Sequence, residues 1–178
     1  MMTNIKDSYP DKPVVPFRTA KVEMGAIISA IKNLNYPTEV KRSAYIIIRN
    51  ETGNGNSVIG GTNVSGVQSD SGRWQSQYDT WIVSTCNKNE NKTGAMRGFV
   101  VFDTLEHGIS FLCDRITAKG IFIGEHVDGK YYKGDVTTPQ QEAEAYEDEW
   151  VEGQTVKATP DEITNFTGMY NQSVKLFS

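Results

Sequence analysis

The feature that most constrains this chain is a stop. The segment "YIIIRNETGNGNSVIGG", residues 45 to 61, carries an apolar helical stripe up to a carboxylate at Glu51 and then breaks at once into Gly and Asn. The stripe begins near Pro37, a residue suited to the first turn of a helix, and runs through Val40, Ala44, Ile47 and Ile48. Three or four residues further along the same face comes Glu51. From Thr52 to Gly72 the chain is dominated by Gly, Asn and Ser, with two short apolar anchors at "SVIG" and "SGVQ", the pattern of a long functional loop. A Glu on the buried side of a last helical turn is pushed towards its protonated form by desolvation and by the negative end of the helix dipole. Such a carboxyl can serve as a general acid. The plainer reading of the same pattern is a solvated Glu51 paired with Arg49 or Lys41.

Around this stop the chain reads as further helices and one hairpin. Residues 1–18 hold Pro10, Pro13 and Pro16 among polar residues and predict an extended arm, which leaves 19–178 as a single domain. "KVEMGAIISAIKNLNY" places Met24, Ile27, Ile28, Ile31 and Leu34 at helical spacing. "TWIVSTC" and "GFVVF" are β-branched and aromatic, and the polar "NKNENKTGAMR" between them predicts a β-hairpin with a mobile tip. A capping box of Asp103 and Glu106 opens a helix through Leu105, Ile109, Leu112 and Ile116 that stops at Gly120. Thr138 before Pro139 and Thr159 before Pro160 open two more, the second with Glu162 and a buried stripe of Ile163, Phe166, Tyr170, Val174 and Phe177. The fold class expected is mostly α (α+β), with one small hairpin.

Composition narrows the function classes. At 178 residues the chain can bury a core without disulfides or metals. Its two cysteines, Cys86 and Cys113, make neither a disulfide framework nor a zinc site and read as free, partly buried thiols. His107 and His126 lie too far apart to suggest a metal, no phosphate-binding loop motif is present, and no cofactor is expected. The apolar runs are too short to cross a bilayer, so no membrane partner is expected, and no leader is visible at the N-terminus. The net charge of −4 argues against nucleic acid. Much of the acid sits in "QQEAEAYEDEWVEGQT", with Glu142, Glu144, Glu147, Asp148, Glu149 and Glu152, which reads as a solvated helix face. Without those six the rest of the chain is slightly basic and suited to an anionic polymer.

Several motifs carry a resemblance. "ETGNGN", then "NVSGVQ" and Trp74, resembles the E-S-G, N-x-F-G-I-K and Trp of the lysozyme-like peptidoglycan hydrolases, in the N-acetylglucosaminidase and flagellar muramidase branch. "MRGFVVFDTLEHGISFLCDRI" is similar to that branch's aromatic strand and following helix, so the likeness covers roughly residues 24 to 118. "GVQ", Gly66 to Gln68, is also similar to part of the G-L-M-Q of lytic transglycosylases. The resemblance implies a lysozyme-like helical domain with its hairpin beside a catalytic cleft, and Glu51 as proton donor in cleavage of β-1,4 bonds in the glycan strands of peptidoglycan. With no leader in view, it suggests a part of a phage particle or delivery machine acting in the cell wall.

The pattern also departs from that branch. Its second Glu, in a T-x-E context, is replaced here by "TCN", Thr85 to Asn87. Glu90, Asp70 and Asp79 are the substitutes within sequence reach. With none of them, Glu51 works alone as in a transglycosylase, or the substrate's N-acetyl group attacks, or the chain is an inactive wall-binding or structural module. Trp74 and Tyr78 read as sugar-stacking faces, and Trp81 divides evenly between groove and core. Asn63 and Gln68 are candidates to hydrogen-bond N-acetyl or hydroxyl groups, against the commoner use of loop Asn in turns.

Overall fold

The computed structural model describes residues 5–124, 135–151 and 157–178. The fold is α+β, with helices beside two small sheets. The chain divides into two compact units, one formed by the described residues up to Ala30 with Ile48–Phe111, the other by Ile31–Ile47 with the described residues from Leu112 onward.

Among the described residues, the first unit holds all the strands. A β1 strand, Val14–Pro16, pairs in parallel with β4, Ile82–Asn89, and β4 pairs antiparallel with β5, Met96–Phe102, giving the order β1-β4-β5. The two-residue strands β2, Thr19–Ala20, and β3, Val58–Ile59, make a second antiparallel ladder. The proline-rich segment is therefore extended as expected but is not a loose arm. Tyr9 within it is fully buried, in a cluster with Val67, Tyr78, Ile82, Val100, Phe102 and Phe111. The polar hairpin connection is also shorter than expected, since strand pairing continues to Asn89↔Met96 and the turn is closed by Glu90 N–H to Ala95 O at 2.8 Å.

Three helices run from one unit into the other: α1, Met24–Asn33; α2, Thr38–Thr52; and α3, Leu105–Lys119. Their apolar positions follow the predicted spacing, with Ile27, Ile31, Val40, Ala44, Ile47, Ile48, Ile109, Leu112 and Ile116 all buried. The start of α3 is shifted by one residue from the expected Asp103–Glu106 box. Thr104 Oγ1 accepts the N–H of His107, and the Asp103 carboxylate instead meets the His107 ring at 2.6 Å. At Gly108 the helix packs so closely that a Cβ would lie 1.9 Å from the Thr62 carbonyl oxygen.

In the second unit α4, Pro139–Tyr146, and α5, Pro160–Leu176, both open with complete capping boxes, Thr138 with Gln141 and Thr159 with Glu162. The buried face of α5 is Phe166, Met169 and Ser173, followed by Phe177, while Val174 of the expected stripe is 44% exposed. The acidic run is not a uniformly solvated face either, because Glu142 and Glu149 are buried. Cys86 and Cys113 are free and buried. His126 and Glu152 lie outside the described residues. Among the described residues no helix is long and apolar enough to cross a membrane.

Candidate functional site

All six residues named from sequence, Glu51, Asn63, Gln68, Trp74, Tyr78 and Trp81, fall in the first unit. What ends α2 is a left-handed turn. Gly53, Asn54 and Gly55 have φ of 58°, 60° and 83°, and Asn54 N–H bonds back to Arg49 O at 3.0 Å, a Schellman closure in which Glu51 occupies the last fully helical position. Gly55 is required there, since a Cβ would stand 2.1 Å from the Val22 carbonyl oxygen.

The apolar row of α2 ends on Thr52, not on Glu51. Thr52, four residues beyond Ile48, is 2% exposed; its Oγ1 donates to Ile48 O at 2.6 Å and accepts from Gly55 N–H at 2.8 Å. Glu51 is exposed. The expectation of a buried Glu51 is therefore corrected: the 3.6-residue period turns its side chain past the core while the threonine takes the inward place. The turn beneath it is held firmly, with Arg49 Nε on Asn54 Oδ1 at 2.8 Å, Ser57 N–H on Thr52 O at 3.0 Å and Val22 N–H on Gly55 O at 2.8 Å. The result is an accessible carboxylate on a rigid platform.

Asn63 is buried and fully employed. Its amide nitrogen donates to Val67 O and Val100 O at 3.0 and 2.9 Å, and its oxygen accepts the Val67 N–H at 2.9 Å. It fastens the long loop to β5, which leaves its amide no donor for a sugar. Gln68 bridges to Phe99 through its backbone, receives the Trp74 indole N–H on its carbonyl at 2.9 Å and takes the Ser71 hydroxyl on its side chain. Tyr78 is 5% exposed and packs edge-on against Phe111, so it is a core residue and not a groove wall. Trp74 also meets Phe111 edge-on and is partly buried. Trp81 is partly buried and lies flat on the His107 ring, with centroids 4.3 Å apart and planes 5° apart. Of the three aromatics, Trp74 and Trp81 keep partial exposure and Tyr78 does not.

The three substitute carboxylates are all engaged. Asp70 accepts from Arg97 Nε and from Gly98 N–H, each at 3.0 Å. Asp79 takes Arg73 Nε at 3.2 Å, and the same guanidinium forks onto Asp11 at 2.5 and 3.1 Å. That fork holds the Asp11 carboxyl down at about 2. Glu90, at the hairpin tip, meets Arg97 Nη1 at 3.8 Å and the Thr93 hydroxyl at 2.9 Å.

A carboxylate that does hold its proton lies in the second unit and was missed in the sequence, where it looked like one of several solvated acids. Burial pushes Glu142 up to about 8, with the Ser43 hydrogen bond pulling the other way. Ser43 Oγ also meets Glu39 O at 2.9 Å, so one hydroxyl hydrogen faces two acceptors, and a neutral Glu142 resolves the conflict by donating its own proton to Ser43. Among the described residues no group of three or more His, Cys, Asp and Glu side chains is placed to hold a metal ion. No family model matches the chain, and neither a curated protein nor a solved structure matches it.

Proposed function

We propose that the chain is a lysozyme-like peptidoglycan glycosidase that uses Glu51 as general acid on the β-1,4 bonds of the wall glycan. The observation that carries this reading is the position of Glu51, exposed at the end of α2 and seated on a turn fixed by Thr52, Asn54 and Gly55. Catalytic groups work best on such supported platforms. Because burial within the chain does not shield this carboxyl, the covering sugar supplies the water-excluded surroundings in which it keeps and then donates its proton.

The engagement of Asp70 and Asp79 by arginines favours the version with a single protein carboxylate. Glu51 gives its proton to the glycosidic oxygen as the C1–O bond breaks, and either the substrate's own N-acetyl oxygen closes onto C1 or a hydroxyl of the same sugar does so while the Glu51 carboxylate, now the base, takes the hydroxyl proton. In the first case water then opens the ring intermediate; in the second an anhydro sugar leaves as product. Trp74 and Trp81, both partly exposed, are the aromatic side chains left to meet a sugar ring. Turbidity of a suspension of purified bacterial walls tests the reading. Wild-type protein clears it and Glu51→Gln, folded by circular dichroism, does not. Equal clearing by both refutes the role of Glu51, and absence of clearing with retained wall sedimentation identifies a binding module.

A further inference from the structure

The hairpin carries a second feature that the glycosidase reading does not use. Between the end of β4 and the start of β5 lies a hollow of about 310 Å³ lined by Lys88 to Lys92, with Glu90 its one carboxylate, and by Arg97 and Phe99. Its aromatic side is paired: Phe99 lies 6.1 Å from Phe17, and Lys88 Nζ stands 5.3 Å from the centre of the Phe17 ring. Of its cations, Arg97 is already matched by Asp70 and Glu90. The charges of Lys88 and Lys92 are left over, beside two side-chain amides.

An apolar ring face, two amides and two unmatched ammonium groups in a space of monosaccharide size make a specific combination. The flat face suits the C–H side of a sugar ring, the amides suit hydroxyl or acetamido groups, and the ammonium groups suit an anion. We infer that this hollow binds an acidic saccharide, with the ring against Phe99 and its carboxylate towards Lys88 and Lys92. The inference rests on the hairpin alone and holds whether or not Glu51 is catalytic.

The test is a set of amide-resolved NMR titrations of the full chain at low salt with N-acetylmuramic acid, N-acetylglucosamine and lactate. The first is the acidic sugar, the second its neutral counterpart, and the third the carboxylate without the ring. None contains a glycosidic bond, so the outcome is independent of the wall-clearing assay. The acidic sugar should shift Lys88–Lys92, Arg97 and Phe99, and bind about five- to tenfold tighter than either control, as expected for two solvent-screened charge contacts added to a ring contact. The Lys88→Gln/Lys92→Gln double variant should bind the acidic and neutral sugars equally. Equal binding of the two sugars at the hairpin by the wild type, equal binding there of lactate and the acidic sugar, or shifts confined to residues outside the hairpin would each overturn the inference. So would the absence of shifts, or a preference that survives in the double variant.

Discussion

Replacing Glu142 with Gln should make the protein more stable at neutral pH, and the gain should grow with pH. The ordinary carboxyl value is 4.5, and burial raises Glu142 to about 8 in the fold. Between those values the unfolded chain has released this proton and the folded chain still holds it. A raised carboxyl of this kind therefore gives its full stability below 4.5 and loses it as pH climbs towards 8, at about 1.4 kcal/mol per pH unit. From pH 5 to pH 7.5 the loss comes to about 3 kcal/mol. Gln cannot ionise, and its amide can still donate to Ser43 Oγ, so Glu142→Gln should lack this slope. Urea denaturation at several pH values, followed by circular dichroism, gives both curves. Glu149 is also raised, mainly by burial, and slopes in the same sense, but it is common to both proteins and cancels in the difference. A wild-type-minus-variant difference that stays flat between pH 5 and 7.5 would refute the argument, as would a Gln variant that is less stable at pH 7.5.

Three further substitutions separate structural from catalytic roles. Asn63→Ala should cost about 2 to 4 kcal/mol in denaturant melts, because it strands the buried Val67 N–H and the Val100 carbonyl, while the Val67 carbonyl keeps only its bond from Val100 N–H; a change under about 0.5 kcal/mol would return Asn63 to the list of ligand-binding candidates. Gly108→Ala should lower stability by about 3 kcal/mol or more, since the new Cβ meets backbone at Thr62 that cannot swing away, and an unchanged melt would show the contact to be looser than described. Glu90→Gln should leave wall clearing within about threefold of wild type, whereas a group acting as acid or base would cost about 100-fold or more.

Much of the fold was legible because its signals are local. The helix starts at Thr138 and Thr159, the capping box of Thr159 with Glu162 and the helical rows of α1 to α3 depend on residues within one or two turns, and they formed as the pattern predicts. The misreadings arose where the choice is made by distant partners or by a single residue of phase. A row through Ile47 and Ile48 points equally to Glu51 and Thr52 in sequence, and the threonine takes the inside because its hydroxyl can cap Ile48 O and bind Gly55 N–H together. Asn63 looked like a loop amide until β5 came alongside it. Tyr78 and Trp81, three residues apart, separate into buried and partly buried according to how they meet Phe111 and His107. Nothing in the acidic run marks Glu142, whose partner Ser43 lies far away in sequence.

The proposal that Glu51 cleaves glycan is tested most directly by mass spectrometry of the sugars released from purified walls by wild type and by Glu51→Gln. The account predicts glycan fragments with new reducing or anhydro ends from the wild type and none from the variant. Fragments of the same kind and amount from Glu51→Gln would contradict it, and so would a wild type that binds walls yet releases no sugar.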